Sequence, residues 1–413
     1  MRRTTHEEAA VTSKSQEDRV ERAIAAIADG DFVLVVDDEA RENEGDLILA
    51  AEMATPEKLA FMVRHTSGLI CAPVLGERLD ELDLPLMVRD NTDSHKTAFT
   101  VSVDYTPSTT TGISAADRSA TIVGLTSPDA RAVDFTRPGH VFPLRYTDGG
   151  VLVRPGHTEA AVDLARLAGL YPAGALCEVV NDDGTMTRGD DLTEFATRHD
   201  LPMLSIEELI EYRWKNEALV ERKVEARLPT RHGDFVAYGY RSVLDGAEHV
   251  ALIHGDVSGR RGVPVRLHSE CLTGDVFGSS RCDCGEQLDT ALAHIATQEA
   301  GIVIYNRSHE GRGIGLMAKL EAYTLQDAGR DTVEANLELG FGADDRTYGV
   351  EAQIIADLKV GSVSVLTNNP HKVASLERLG VTVEGREALS IPPGSDNAAY
   401  LETKASKLGH SFS

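Results

Sequence analysis

The sequence is short of positive charge. Its 413 residues include 41 Lys and Arg against 66 Asp and Glu, which gives a formal net charge of −25. Because nucleic acids and anionic membranes bind to basic surfaces, this balance argues against either as the main partner. A phosphorylated substrate would then need a local basic pocket.

Long apolar runs are missing too. No stretch approaches the roughly 20 apolar residues that span a bilayer, and Arg2 and Arg3 are not followed by an apolar segment. The sequence therefore predicts a soluble, unexported protein of the cytoplasm with no membrane partner. No internal repeat or low-complexity tract is evident.

Cysteines are few, and they are unevenly spread. Cys71 and Cys177 lie in apolar surroundings and are expected to be buried thiols, which fits a reducing compartment. The other three, Cys271, Cys282 and Cys284, fall within fourteen residues. That cluster is the most informative feature of the chain.

Three thiolates leave one coordination position open for water, which is typical of a catalytic zinc, whereas structural zinc sites are normally closed by four protein ligands. A redox pair normally has two intervening residues, and here only Asp283 separates Cys282 from Cys284. Chance clustering, or half of a structural ribbon with a distant fourth ligand, remains open on spacing alone. The cluster favours an enzyme.

The length exceeds what one hydrophobic core usually organises, so two domains are expected. A helix-like segment after residue 206 is followed by turn residues and a new strand near 228, which puts the boundary at about 215–220. We predict an α/β (mixed α+β) protein whose two domains each have a mixed sheet covered by helices. The domains would span 16–215 and 220–413, after a disordered tail at 1–15.

Apolar periodicity predicts the main elements of both halves. In the first half, Ser15 and Asp18 form a plausible capping pair for a helix ending at Gly30, and a buried strand follows at 32–36. In the second half, alternating elements are expected as strands at 249–253, 301–305 and 362–366, and helices at 314–326 and 371–379.

The first strand leads into the acidic segment 37–46, which alone is better explained as a solvated loop. Three more loops, 137–140, 154–159 and 178–184, combine turn residues with ionisable groups. Together they predict a site for Mg²⁺ and a small phosphate ester. His157 would precede a helix starting at Thr158, whose backbone amides are available to an anion, although a purely structural histidine is the alternative.

Four motifs of the first half, read together, resemble the family of 3,4-dihydroxy-2-butanone 4-phosphate synthase over residues 16 to about 213. They are Asp37-Asp-Glu-Ala-Arg-Glu-Asn-Glu-Gly-Asp46, Thr111-Gly-Ile-Ser-Ala-Ala-Asp-Arg118, Arg137-Pro-Gly-His-Val-Phe-Pro-Leu-Arg145 and Asn181-Asp-Asp-Gly-Thr-Met186. The resemblance implies that ribulose 5-phosphate is converted to 3,4-dihydroxy-2-butanone 4-phosphate and formate by enolisation, dehydration and a skeletal shift.

The same resemblance implies roles for individual residues. Glu42 and His157 match the Mg²⁺ (or Mn²⁺) ligands, and His140 and Glu178 match positions essential for proton transfer. The positions that match substrate contacts are Arg41, Glu42, Asp46, Arg154, Pro155, Gly156, His157, Thr158 and Glu178.

In the second half, the glycine-rich segment 307–315 lies between a predicted strand and a predicted helix. Its backbone amides could approach phosphates, with Arg312 as a bidentate clamp, although an ordinary loop explains this segment equally well by itself. Thr367-Asn-Asn-Pro-His-Lys372 is another such turn that carries a cation.

These segments, with the cysteine cluster, resemble GTP cyclohydrolase II from about residue 224 to the C-terminus. The motifs are His268-Ser-Glu-Cys-Leu-Thr-Gly-Asp275, Arg281-Cys-Asp-Cys-Gly285, Glu310-Gly-Arg-Gly-Ile-Gly-Leu316, Asp331-Thr-Val-Glu-Ala-Asn336 and Leu366-Thr-Asn-Asn-Pro370. The resemblance implies that GTP loses its imidazole carbon as formate and also loses pyrophosphate, which gives 2,5-diamino-6-ribosylamino-pyrimidinone 5′-phosphate.

In this family Cys271, Cys282 and Cys284 match the Zn²⁺ ligands, and Tyr323 lies near the attack on the purine. Asp344 matches a proposed general base and Arg346 a proposed nucleophile toward the α-phosphate. Guanidinium stays protonated in proteins, so a phosphate clamp is the alternative role for Arg346. The positions that match GTP contacts are Arg266, Leu267, His268, Ser269, Glu270, Gln287, Glu310, Gly311, Arg312, Thr332, Thr367 and Lys372.

The two resemblances together imply a fusion whose two enzymes supply the two precursors of riboflavin, and they also imply a homodimer. One rival is a chain with one decayed half, although no site position named above is missing. Another is a module that binds GTP without cleaving it. Nucleic-acid binding through a zinc ribbon conflicts with the acidic balance and the missing fourth ligand.

Overall fold

A computed structural model describes residues 3–39, 41–344, 346–389 and 391, with side chains from residue 16 onward. The chain divides into two compact units, Met1–Arg213 and Trp214–Ser413. The sequence placed this division a few residues later, at 215–220.

The first unit contains a mixed sheet with the strand order β4-β5-β3-β6-β2-β1-β7. Its strands are β1 (Val33–Val36), β2 (Gly45–Ala50), β3 (Cys71–Val74), β4 (Val103–Tyr105), β5 (Phe135–Arg145), β6 (Gly174–Glu178) and β7 (Met203–Ser205). Its helices are α1 (Arg3–Ala28), α2 (Pro56–His65), α3 (Gly76–Glu81), α4 (Ala115–Thr126), α5 (His157–Leu167), α6 (Asp190–Arg198) and α7 (Ile206–Asn216), which ends in the second unit. Short 3₁₀ turns lie at Ala51–Met53, Thr106–Ser108, Ala132–Asp134 and Gly150–Leu152.

Helices cover both faces of this sheet, and strand β2 shows why. All six residues of β2 are buried, as expected for a strand with a core on each side. Leu47 and Leu49 point to a core shared with α2 and α4, whereas Ile48 and Ala50 point to one shared with α1 and α5. This arrangement confirms the predicted mixed sheet covered by helices.

The start of the chain differs from the prediction. Helix α1 begins at Arg3 rather than near Ser15, so residues 3–15 are helical where the sequence analysis placed a disordered tail. The segment holds two Glu, two Ala and one Lys, which favour a helix, beside three Thr and two Ser, which do not, so residue type gave no clear sign that the helix extends beyond the apolar stripe of Val20, Ala23 and Ile27. Residues 1 and 2 of that tail lie outside the described residues.

The second unit has its own mixed sheet, in the order β14-β13-β11-β12-β10-β9-β8. Its strands are β8 (Val220–Thr230), β9 (Gly233–Ser242), β10 (Glu248–His254), β11 (Val263–Ser269), β12 (Gly301–Asn306), β13 (Val363–Leu366) and β14 (Val383–Glu387). Its helices are α8 (Leu272–Asp275), α9 (Cys284–Ala296), α10 (Gly315–Asp327), α11 (Thr332–Glu338), α12 (Gly349–Asp357) and α13 (Pro370–Arg378), and a 3₁₀ segment spans Arg307–Arg312.

The parallel strands β11, β12 and β13 carry the chemistry of the second unit at their carboxyl ends. Strand β11 pairs in parallel with β12 and β13, and these strands end at Ser269, Asn306 and Leu366. The carboxyl edge of such a sheet is where α/β folds usually bind ligands. No helix among the described residues is long and apolar enough to cross a membrane.

Candidate active sites

In the first unit, the loop between β1 and β2 is folded around the carboxylate of Asp37. Asp37 Oδ2 accepts hydrogen bonds from Arg41 Nη1 at 2.9 Å and Glu42 N at 3.1 Å, and Oδ1 accepts one from Glu44 N at 2.9 Å. The loop therefore holds its acidic side chains in a defined arrangement, unlike a solvated acidic segment.

A group of oxygen and nitrogen ligands forms where this loop meets α5. Asp37, Glu42 and His157 each offer one ligand atom, and these atoms lie within 4.8 Å of one another. His157 Nε2 lies 3.2 Å from the carbonyl oxygen of Val35, which places the ring proton on Nε2. Nδ1 lies 3.8 Å from Glu42 Oε2 and from Asp46 Oδ1, and it would present its lone pair to a bound metal. This is how a metal-binding imidazole is oriented by its second nitrogen.

Asp46 gives a test of whether a cation fits. Its side chain is buried, and Oδ1 has no hydrogen-bond partner among the described residues. Burial raises the pKa of Asp46 to about 7, although His157 opposes that rise. The interaction with His157, followed by that with Arg41, lowers the pKa of Glu42 to about 2 against the effect of burial. A cation beside these carboxylates would satisfy the orphaned oxygen, so the donor set fits Mg²⁺ or Mn²⁺.

A cationic pocket adjoins the start of α5. A Cβ atom at Gly156 would lie 2.5 Å from Arg154 Nη1 and 3.2 Å from Arg41 Nη2, so both guanidinium groups approach the same backbone. Arg154 Nη1 also donates to Glu159 Oε2 at 2.6 Å. Pro155 is exposed just before the helix, and Thr158 is buried in its first turn. Two cations beside free helix amides suit a phosphate group.

His140 belongs to a pair that the sequence did not reveal. Its Nδ1 lies 2.7 Å from Asp104 Oδ2, and its backbone N–H donates to Asp104 Oδ1 at 2.9 Å. Asp104 is on β4 and His140 on β5, and these strands pair in antiparallel fashion. The carboxylate fixes the ring orientation, which leaves Nε2 to exchange protons with a substrate.

Glu178 lies at the end of β6, opposite Asp46 in the β2–β6 pairing. Its Oε2 accepts a hydrogen bond from Leu69 N at 2.8 Å. The predicted acid–base residue is thus next to the oxygen ligands through strand register rather than through sequence.

In the second unit, the three sulfur atoms come together as predicted. Cys271 precedes α8, Cys282 is in the following loop, and Cys284 begins α9. Their Sγ atoms lie within 4.8 Å of one another, with 3.6 Å between Cys271 and Cys282. The described part of the chain adds no fourth His, Cys, Asp or Glu ligand to this group. Hydrogen bonds with Cys282 and Cys284, and the charge of Lys319, lower the pKa of Cys271, whereas the hydrogen bond with Cys271 raises the pKa of Cys282 to about 11. The three sulfur donors around one point fit zinc, which binds cysteine as the thiolate.

The sulfur atoms line an open cavity whose empty volume, with its mouth, is about 650 Å³. Tyr323 is on its wall and exchanges a 3.0 Å hydrogen bond with Thr273. Arg312 has a positive φ between two positive-φ glycines, and its Nη2 is buried without a partner among the described residues. Other predicted residues on the wall are Ser269, Glu270, Glu310, Gly311, Thr332 and Arg346.

Several predicted GTP contacts are not on this wall. Their side chains contact other groups of the protein. Arg266 donates to Leu366 O and Gln287 Oε1, Lys372 donates to Leu267 O, and His268 Nε2 lies 3.1 Å from Asp275. Thr367 is buried as well.

Arg346 and Asp344 form a close pair. Arg346 Nε donates to Asp344 Oδ1 at 2.7 Å, Nη2 donates to Oδ2, and Nη1 reaches Ser269 Oγ at 3.3 Å. Although burial opposes it, hydrogen bonding from Arg346 leaves the pKa of Asp344 below its ordinary value. A carboxylate held in this way is a weak base.

Four further residues gain a role from their contacts in the structure. Asp37 and Asp104 organise the first site, while Asp275 and Lys319 contact residues around the cysteines. Asp275 accepts hydrogen bonds from Cys271 N and Tyr305 OH and lies beside His268. Asp37 and Asp275 stand in the motifs 37–46 and 268–275, whereas strand pairing and helix packing create the contacts of Asp104 and Lys319, which no motif indicated.

Comparisons with known proteins agree with this division. Residues 21–212 match the family of 3,4-dihydroxy-2-butanone 4-phosphate synthase, and residues 221–388 match GTP cyclohydrolase II. The riboflavin biosynthesis protein RibBA of Nocardia farcinica is 58% identical over 395 residues, which cover 95% of each chain. RibBA of Salinispora arenicola is 59% identical over 391 residues, covering 95% of this chain and 93% of that one.

Among solved structures, RibBX of A. baumannii, described as a two-domain 3,4-dihydroxy-2-butanone 4-phosphate synthase, is 35% identical with a TM-score of 0.69. The match covers 89% of this chain and 99% of that one. Both resemblances found in the sequence are thereby confirmed. The chain belongs to the RibBA family and is a bifunctional riboflavin biosynthesis enzyme with a 3,4-dihydroxy-2-butanone 4-phosphate synthase domain and a GTP cyclohydrolase II domain.

Proposed function

We propose that both domains are active: the first converts ribulose 5-phosphate to 3,4-dihydroxy-2-butanone 4-phosphate and formate, and the second releases formate and pyrophosphate from GTP. The observation that carries the proposal is the presence of two donor clusters of different chemistry. Asp37, Glu42 and His157 suit a hard cation, whereas three thiolates suit zinc.

In the first domain, Arg41, Arg154 and the amides at the start of α5 bind the substrate phosphate. Mg²⁺ or Mn²⁺ bound to Glu42 and His157 would polarise the substrate carbonyl. Glu178 and His140 move the protons that enolisation and dehydration require, and Asp104 holds the His140 ring in the productive orientation.

In the second domain, zinc bound to Cys271, Cys282 and Cys284 would activate water. Tyr323 orients the purine or the water near the metal, because its hydroxyl is on the cavity wall and fixed by Thr273. Arg312 binds the triphosphate through the nitrogen that lacks a protein partner.

For Arg346 we favour a phosphate clamp over a nucleophile. Its guanidinium is held by both oxygens of Asp344, which is the pairing of a protonated cation. The same ion pair makes Asp344 a poor general base, so its role is to aim Arg346 at the cavity.

A chain with one silent domain is the second candidate, since RibBX is described by its synthase activity alone. The complete cysteine group of this chain argues against it. A cytoplasmic homodimer with no nucleic-acid or membrane partner completes the proposal. The five free cysteines fit a reducing compartment, and the homodimer rests on the family resemblance alone.

The test is formate release from each substrate supplied alone. With GTP labelled at the imidazole carbon, we expect labelled formate that is lost after zinc removal and restored by Zn²⁺. With ribulose 5-phosphate, we expect formate that requires added Mg²⁺ or Mn²⁺. A domain that releases no formate with its metal present would contradict the proposal for that domain.

A further inference from the structure

Lys319 is a buried lysine that no sequence motif assigned to the chemistry. It lies on α10 with 8% of its surface exposed. Its ammonium donates to Cys271 Sγ at 3.1 Å and to Glu310 Oε1 at 2.6 Å. A buried charge is stable only when it is paired in this way, so these two contacts explain its position.

Glu310 connects the lysine to the backbone of the cysteine loop. Its Oε2 accepts a hydrogen bond from Leu272 N at 2.7 Å, and its Oε1 accepts one from Gly311 N at 3.1 Å besides the one from Lys319. Both carboxylate oxygens are therefore occupied by protein donors. Although Glu310 lines the cavity, it is better placed to hold the residue after Cys271 than to contact GTP.

We propose that Lys319 and Glu310 are positioning residues of the zinc centre: Lys319 hydrogen-bonds the Cys271 thiolate, and Glu310 fixes both Lys319 and the Cys271–Leu272 backbone. This inference rests on the proposed zinc site. It changes the expected role of Glu310 from a GTP contact to support of a metal ligand.

Charge explains why such a pair is useful. Three thiolates carry one more negative charge than zinc can balance, and hydroxide would add another. An ammonium donating to one sulfur offsets part of this excess negative charge, so the set of three thiolates around the metal is stabilised. The carboxylate of Glu310 keeps the ammonium directed at the sulfur and limits its reach into the GTP cavity.

The first test measures zinc binding in the full-length protein by competition with a chromogenic chelator. For Lys319→Met we expect zinc affinity to fall roughly 10- to 100-fold, as is typical when an outer-shell partner of a metal ligand is lost. Glu310→Gln should also weaken zinc binding. The loss of zinc-binding free energy in the double variant should be smaller than the sum of the two single losses, because both residues act on Cys271. Lys223→Met is the matched control, since Lys223 is an exposed lysine on β8 of the same domain.

The second test uses Co²⁺ in place of zinc and follows the sulfur-to-metal charge-transfer band. Without the hydrogen bond from Lys319, the sulfur lone pair rises in energy, so the band of Lys319→Met should move to longer wavelength. Lys319→Arg keeps a charged donor and should leave the band near its wild-type position. A purely structural role of Lys319 would not move this band.

The outcomes separate the inference from the proposed zinc site. If the wild-type protein binds no zinc, the proposed site fails. If the wild type binds zinc and Lys319→Met keeps the same affinity and the same band, only the inference fails. Equal effects of the Met and Arg variants on the band would also overturn it, because the charged donor would then have no influence.

Discussion

A single carboxylate determines which nitrogen of His140 faces the substrate. Asp104 binds both Nδ1 and the backbone N–H of His140, so the ring cannot rotate without losing two hydrogen bonds. Gly112 closes over the pair: a Cβ at this position would lie 2.1 Å from Asp104 Oδ2 and 2.4 Å from His140 Nδ1. The motif Thr111–Arg118 thus contributes to the first site because Gly112 has no side chain that would collide with this pair.

Replacing Asp104 by Asn should therefore impair proton transfer. The amide can present its N–H to Nδ1 and favour the wrong tautomer, so we expect turnover of ribulose 5-phosphate to fall roughly 10²- to 10⁴-fold. Formate release measures turnover, and electron paramagnetic resonance of bound Mn²⁺ checks that the metal site is retained. Asp134→Asn is the control, because Asp134 is in a 3₁₀ turn and accepts only a local hydrogen bond from Arg131 N. Normal turnover in Asp104→Asn would contradict the role given to this pair.

The titration of His309 is one contribution to the response of the second domain to acid, beside the opposite contribution of Glu351, whose pKa burial raises to about 7. Burial, followed by the charges of Arg346 and Lys372, lowers the pKa of His309 to about 3. Below pH 6.5 the side chain of His309 is protonated in the unfolded chain but not in the folded state, so the free energy of unfolding falls as pH falls. The slope for this one group is about 1.4 kcal/mol per pH unit, or about 2 kcal/mol between pH 6.5 and 5.0.

The measurement is urea unfolding followed by tryptophan fluorescence. Trp214 is the one tryptophan of the sequence and packs against Gly349 in the second unit. Between pH 6.5 and 5.0, His309→Gln should show a shallower loss of unfolding free energy than the wild type. The exposed His371→Gln should keep the wild-type slope. An unchanged slope in His309→Gln would show that folding does not keep His309 unprotonated in this pH range.

Which site residues the sequence could predict depends on how the contact is made. Glu42, His157 and the three cysteines belong to short motifs whose residue types indicate metal binding. Asp104 and Lys319 lack such a signal, because one is brought to His140 by strand pairing and the other to Cys271 by the packing of α10. Arg266 and His268 were predicted as GTP contacts from motif position, and these contacts stay predictions; the burial of both side chains could not be read from a motif.

At the level of elements, two glycines at close backbone contacts, Gly274 and Gly285, shape the proposed zinc site. A Cβ at Gly274 on α8 would lie 2.8 Å from Cys282 Sγ and 3.1 Å from Cys271 Sγ. A Cβ at Gly285 on α9 would lie 2.4 Å from the carbonyl oxygen of Gly274. The two helices can bring the sulfur atoms together because neither glycine carries a side chain.

Gly274→Ala should consequently push the sulfur atoms apart. We expect zinc affinity to drop roughly tenfold or more, with a parallel loss of formate release from GTP. Gly385→Ala in β14 is the control, since its Cβ would meet only Ser364 Oγ at 3.9 Å. Zinc retention in Gly274→Ala equal to that of Gly385→Ala would contradict this account of the helix approach.

The elements of the second half that the sequence predicted with bounds lie within a residue or two of those in the structure, because they follow strong apolar patterns. Strands 301–305 and 362–366 and helices 314–326 and 371–379 correspond to β12, β13, α10 and α13. The start of α1 was wrong because an apolar stripe marks where a helix packs and not where it begins. The strand β4 was not predicted either, since three residues give too short a pattern.

Over the whole molecule, the positive charge of the two proposed sites contrasts with the acidic balance of the chain. The chain carries a formal charge of −25, yet guanidinium groups gather at the start of α5 and around the cysteine cavity. Each unit has its own sheet and its own donor cluster. We therefore expect the two reactions to proceed independently, each limited by its own metal and its own substrate.

The most direct test of two independent sites is formate release by Cys282→Ser and by His140→Ala, each given GTP alone or ribulose 5-phosphate alone with Mg²⁺ and Zn²⁺ present. Cys282→Ser should release formate only from ribulose 5-phosphate, because it removes one of three zinc ligands. His140→Ala should release formate only from GTP. Loss of both activities in either variant, with the protein still folded, would contradict the account.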